Sequence, residues 1–168
     1  MPANAYLYPA DILLPDFERV NGTVYATVAC DQFTSQPEYW EKADAAAGTA
    51  PSTLRMILPE IYLSEAESRI PQIHETMEKY IRDVLNTHKN SMIYVERTQS
   101  DGKVRRGLVG MVDLEQYDYH RGAKTLIRAT EATVEERIPP RLAVRQGAAL
   151  ELPHAMLLID DPGRTVIE

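Results

Sequence analysis

"SMIYVERTQSDGKVRRGLVGMVDL", Ser91–Leu114, is the stretch that decides the fold. Two runs rich in valine, isoleucine and other strand formers flank Ser100-Asp101-Gly102-Lys103. Branched and aromatic side chains suit a pleated, half-buried surface. Asp-Gly between two such runs turns one strand back on the other, because glycine accepts the positive φ that a tight hairpin needs. The stretch therefore predicts an antiparallel hairpin.

N-terminal to it lies the clearest helix, starting at Ser64. Ile70, Ile73, Met77, Ile81, Val84 and Leu85 recur at helical spacing,. Glu67 follows Ser64 by three positions, as in a capping box, and Pro71 either kinks the helix or marks its start. "PSTLRMILPEIYL", Pro51–Leu63, predicts a second strand and a turn. A helix is expected from Gln36 to Ala47, capped by Ser35 and Glu38, opened by Pro37 and ended by Gly48. "GTVYATVA", Gly22–Ala29, predicts a strand. Three prolines in Met1–Pro15 make the start of the chain an extended arm, so residues 1–21 are expected as an arm and 22–168 as the domain. On the C-terminal side, Tyr117–Ala149 is mostly polar, with a helical patch at Ala132–Ile138. "HAMLLID", His154–Asp160, predicts a buried strand. The expected class is α+β or α/β: a mixed sheet with a central antiparallel hairpin, packed against one long helix and one or two shorter ones.

The chain has 168 residues, enough for one domain, and a net charge of −7 from 18 basic and 25 acidic residues,. That balance disfavours nucleic acid, which selects clustered Lys and Arg. A single cysteine forms neither an internal disulfide nor a Cys-rich zinc site, and it fits a reducing compartment,. There is no secretion signal and no apolar run of roughly 18 residues that would span a membrane. A cytoplasmic location and no membrane partner are expected. The ending "LLIDDPGRTVIE" reads as a strand, a turn and the start of another run, so the chain is expected to be the N-terminal part of a longer protein whose remainder is a partner.

Two segments carry residues with chemistry. In "ACDQFTSQPEYW", Ala29–Trp40, Cys30 is either a nucleophile that needs a base or positive field, or a small structural hydrophobe. Asp31, at the end of the expected strand, either faces a ligand or caps the next helix. The second segment, Tyr119–Arg141, places Arg121, Lys124, Arg128, Arg137 and Arg141 within 21 positions, interleaved with Thr125, Thr130 and Thr133. Guanidinium forks and hydroxyls recognise phosphate or carboxylate, and Thr130–Thr133 reads as a helix start whose free N–H groups favour an anion. The other reading is a solvated helix whose glutamates neutralise its arginines. His120 adjoins this segment and could touch the same anion. His74, His88, His120 and His154 show no metal-ligand spacing.

The blocks "VACDQFTSQPEYW", "SMIYVERT…GKVRRGLVGMVDLEQYDY", "LIRATEATVEERIPPRLAVR" and "LELPHAMLLIDDP" resemble the N-terminal part of the domain of unknown function 1015 family of bacteria and archaea. The most specific are Ile127-Arg128-Ala129-Thr130-Glu131 and Pro139-Pro140-Arg141. Family members are longer and carry an Asp-Gly-x-His motif similar to the phosphate-handling segment of ParB/sulfiredoxin-like proteins, among them free-serine kinases. Their genes tend to accompany serine-biosynthesis genes. The resemblance implies phosphoryl chemistry on serine, phosphoserine or a related small acid, with ATP or ADP as the candidate nucleotide. This chain departs from it twice. Its only Asp-Gly is Asp101-Gly102, and His120-Arg121-Gly122-Ala123 stands where relatives have a Ser-Lys-Gly-Ser-like stretch.

On the enzyme reading, Arg128, Arg137 and Arg141 clamp the anion with Lys124 and Thr130 assisting, and Asp31 or Glu131 is the base that activates a hydroxyl or water. On the alternative, the same basic segment binds a carboxylate or phosphate metabolite, or an acidic patch of a partner subunit, without turnover.

Overall fold

A computed structural model describes residues 7–130, 132–163 and 165. In chain order its regular elements are β1 (Leu7–Tyr8), β2 (Ala10–Pro15), α1 (Gly22–Tyr25), α2 (Pro37–Ala47), α3 (Ala66–Asp83), β3 (Leu85–Ser91), β4 (Ile93–Thr98), β5 (Val104–Val109), β6 (Met111–Val112), β7 (Tyr117–Asp118), β8 (Ile127–Arg128) and α4 (Ile138–Arg145). The class is α+β. The strands form four two-stranded ladders, β1–β6, β2–β3, β4–β5 and β7–β8, where the sequence led us to expect one mixed sheet.

The chain divides into two compact units. The first draws on the described residues of Met1–Leu13, Thr87–Ala132 and Leu157–Glu168, and the second on Leu14–Asn86 and Thr133–Met156. The hairpin belongs to the first and the long helix to the second.

The second unit is organised by α3. Ile73, Met77, Tyr80 and Val84 recur at helical spacing and are buried,. Each large apolar side chain taken out of water contributes about 1.5–3 kcal/mol. Val20, Tyr25, Met56 and Leu58 complete the core, with Val144, Ala148, Leu150 and Leu152 packed against it from α4 and the segment after it. Buried Ser52 ties the polar groups together. Its backbone N–H donates to the Tyr80 hydroxyl at 3.1 Å, and its Oγ donates to the Tyr25 carbonyl at 3.3 Å. α3 continues through Pro71, and its N-terminus, at Glu65, lacks a side-chain cap.

α2 starts one residue after the expected Gln36, ends at Ala47 as expected and stops at Gly48, whose φ of 52° suits glycine,. Gln36 precedes it without a side-chain cap bond, so neither Ser35 nor Asp31 caps this helix.

In the first unit, β4 and β5 pair antiparallel from Ile93↔Val109 to Thr98↔Val104, as the Asp-Gly signal predicts. The Gln99 N–H donates to the Lys103 carbonyl at 2.8 Å and the Gly102 N–H to the Gln99 carbonyl at 3.0 Å, with Gly102 at φ 79°. The loop is thus Ser100-Asp101-Gly102, a turn closed by a left-handed glycine. Glu96 and Arg106 face each other across the ladder and pair at 3.0 Å. Between β1 and β6 a side chain at Gly110 would sit 2.6 Å from the Tyr8 carbonyl, so the close approach requires glycine,.

Four expectations are corrected. Gly22–Ala29 is no strand: Asn21 caps one helical turn by accepting from the Thr23 N–H, and the Tyr25 carbonyl is taken by the Ser52 and Thr53 hydroxyls. Pro51–Leu63 forms 3-10 helices at Thr53–Met56 and Glu60–Glu65, because its apolar residues cover α3 and its prolines withhold ladder donors,. The helical patch of Ala132–Ile138 gives way to a 3-10 turn at Glu135–Arg137 and then α4, whose first turn holds Pro139 and Pro140, where missing N–H groups cost nothing,. His154–Asp160 is neither strand nor buried: Leu158 is 82% exposed, and no described strand pairs with it.

Burial, and then the neighbouring Tyr80, push the Tyr25 phenol from 10.0 up to about 12. The folded state thus favours the neutral phenol. The stability this contributes is complete below pH 10 and is lost as pH rises toward 12,. The loss is at most about 1.4 kcal/mol per pH unit for one proton. Urea midpoints across that window should fall more steeply for the wild type than for Tyr25→Phe. Equal slopes would remove Tyr25 as the source.

Candidate functional site

The first unit carries the better-formed site. β7 and β8 pair in parallel, Tyr117↔Ile127 and Asp118↔Arg128. Parallel neighbours usually need a crossover of about a dozen residues or more, yet here residues 119–126 alone make the return. The short loop is possible because it turns tightly. The Ala123 N–H donates to the His120 carbonyl at 3.1 Å, and Gly122, third in that turn, has φ 83°. A type II turn requires that sign of φ at that place. His120-Arg121-Gly122-Ala123 is this turn.

Asp118 anchors it. One carboxylate oxygen, Oδ1, accepts from the His120 backbone N–H at 2.8 Å and from His120 Nδ1 at 2.7 Å. These two bonds, the backbone one first, hold the Asp118 carboxyl below the usual carboxylate range. An ionised carboxylate only accepts, so Nδ1 carries a hydrogen and donates it to Asp118,. The Tyr119 ring stacks on the imidazole, with centroids 4.4 Å apart and planes at 23°.

Asp118, Tyr119, His120, Arg121 and Arg128 line an open cavity of about 300 Å³. Neither Arg121 nor Arg128 is ion-paired among the described residues. Two uncompensated guanidiniums beside an oriented imidazole can receive an anion with charge-assisted hydrogen bonds. Lys124 and Thr130 are exposed in the same unit but do not line the cavity.

The second unit brings together other sequence-derived candidates. The Glu60 N–H donates to the Cys30 carbonyl at 2.8 Å, which fixes the chain before Asp31 beside the second 3-10 helix. The Glu60 side chain is 7% exposed and holds Arg141 at 2.5 Å on one oxygen and Arg137 at 3.5 Å on the other. Asp31 lies within electrostatic reach of both Cys30 and Arg141. Arg137 and Arg141 thus spend much of their charge on a carboxylate of their own chain. The hydrogen bond to Glu60 raises the Arg141 pKa further, keeping that guanidinium charged. Burial pushes the half-buried Cys30 thiol up, against the opposing pull of Arg141.

Arg128 therefore belongs to one unit and Arg137 and Arg141 to the other. Glu131 lies outside the described residues. Sequence reasoning missed Glu60, hidden in a stretch that reads as a strand. It missed Asp118 too, whose signal is an aspartate two positions before a histidine, the spacing of an Asx turn.

The molecule is an α+β protein of two compact units, one of which carries a cavity lined by arginine and histidine. A family model described as "Protein of unknown function (DUF1015)" matches residues 15–168, and the chain belongs to that family. No curated protein and no solved structure matches it. Among the described residues no helix is long and apolar enough to cross a membrane.

A thiol raised by burial stays protonated at neutral pH, and the thiolate is the reactive form. Iodoacetamide at about pH 8 should therefore alkylate Cys30 more slowly than it alkylates free cysteine. Arg141→Ala removes the one charge that lowers the thiol pKa, so it should slow alkylation further. Faster reaction in that variant would mean that Arg141 does not act on the thiol.

Proposed function

We propose that this protein handles the phosphoryl or carboxylate group of a small acid, as a phosphoryl-transfer enzyme of kinase or phosphatase type. Serine or phosphoserine is the substrate class, and ATP or ADP the nucleotide where one takes part. The observation that supports this reading is the cavity of about 300 Å³, in which Arg121 and Arg128, without an ion pair among the described residues, stand beside a histidine held by Asp118. Its size is at the lower end for small-molecule sites, which suits an amino-acid-sized ligand. Phosphoryl transfer asks little of a protein beyond positioning the group and stabilising its charge, and two fork-shaped cations meet both demands.

A second reading, an anionic-metabolite-binding or assembly domain without turnover, is favoured by the placement of Asp31. This proposed base is not among the described residues that line the cavity.

Calorimetry with phosphoserine on the full chain tests the shared claim. Arg128→Ala should weaken binding about 10- to 100-fold, the range for losing a hydrogen bond to a charged group. Circular dichroism should be unchanged, since Arg128 is exposed. Equal affinity in the variant would take Arg128 out of the site. Phosphorus NMR of the full chain with ATP and serine, or with phosphoserine alone, separates the two readings. Conversion over hours favours the enzyme, and binding without conversion favours the domain that only binds.

A further inference from the structure

The Asp118–His120 pair does more than a loop anchor needs. The Asx turn is already closed by the His120 backbone N–H at 2.8 Å. The additional bond from Nδ1 at 2.7 Å fixes the ring and its tautomer. The Tyr119 ring, stacked 4.4 Å away, holds the imidazole plane from one side. Nε2 has no hydrogen-bond partner among the described residues. The side chain is 73% exposed and lines the cavity with Arg121 and Arg128. An imidazole that donates from Nδ1 to a carboxylate and lines a cavity with two arginines has, in its neutral form, the arrangement of an oriented nucleophile,.

Building on the phosphoryl-handling reading, we propose that His120 is the covalent phosphoryl carrier of this cavity, with Asp118 as its positioning residue. The donor is a phosphoanhydride or phosphomonoester. The Nε2 lone pair forms an N–P bond while the P–O bond to the donor's leaving oxygen breaks. That oxygen departs as the ADP oxyanion, or as the serine hydroxyl after taking a proton from water. The ring becomes a phosphoimidazolium whose Nδ1–H still donates to Asp118, so the carboxylate offsets the new positive charge. Arg121 and Arg128 bind the phosphoryl oxygens throughout. In the second half, a hydroxyl or water attacks phosphorus, loses its proton to solvent, and returns the bonding pair to Nε2.

This chemistry has a signature apart from turnover, since an N–P bond on histidine is stable in alkali and lost in acid. The full chain is incubated with MgATP labelled in its γ-phosphate and, separately, with labelled phosphoserine. Protein-bound label is then read after alkaline and acid treatment. The wild type should take up acid-labile label from at least one donor, and His120→Asn should take up none. Asp118→Asn keeps an acceptor oxygen but loses the charge, and should cut the labelling rate about 100-fold or more, where the range for acid–base and orienting partners begins. Circular dichroism checks both variants, and a fold lost in one leaves the other to decide. Equal label on His120→Asn would overturn the assignment. So would absence of label on a wild type that binds phosphoserine in the calorimeter, and the phosphoryl-binding reading would then survive alone. Absence of both binding and label would overturn both.

Discussion

The apolar stripe of α3 is the constraint on which the second unit depends. An 18-residue helix that carries Ile73, Met77 and Tyr80 along one face, with Val84 just past its end, has to be covered there, and helices in proteins owe most of their stability to such cover. The chain supplies it from both directions. Residues 52–65 cover it from the N-terminal side as 3-10 turns, and α4 with the segment after it returns from far along the sequence. His74 Nε2 meets the Val144 carbonyl at 2.7 Å where α4 docks. Once α4 is docked, Arg137 and Arg141 come to Glu60, and Cys30 is held by the Glu60 backbone.

That packing changes what the basic segment means. Read along the chain, five cations in 21 positions look like one anion cradle. In the structure the segment passes from one unit to the other between Ala132 and Thr133. Its last two arginines serve a nearly buried carboxylate, whose desolvation would otherwise be costly. Arg121 and Arg128, earlier in the segment, make no ion pair among the described residues and line a cavity. One run of charge is therefore divided, its last part paired with Glu60 and its earlier part lining a cavity.

The hairpin, α2 with its terminal glycine, and α3 with its periodic face were legible because each is specified by residues close in sequence: Asp101-Gly102, Gly48, and the apolar spacing of α3. The failures share another cause. Gly22–Ala29 and His154–Asp160 have strand-like composition, but a strand exists only where a partner offers its own N–H and C=O groups. None does so among the described residues. Of the site, Arg121, Arg128 and His120 were legible as a charged neighbourhood. Asp118 was not, because its importance comes from one oxygen that accepts two hydrogen bonds.

By itself the sequence determined the class, the acidic balance, the helices with their own punctuation, the hairpin and the family. These follow from local propensity, side-chain period and turn chemistry, which act over a few residues. Only the tertiary structure decided which cations pair with a carboxylate among the described residues, because Glu60 and Arg141 are 81 positions apart in sequence. It likewise decided that a loop too short for an ordinary parallel crossover closes on Asp118 and sets a histidine beside Arg128. Register between strands is a property of pairs, and no single stretch of chain carries it.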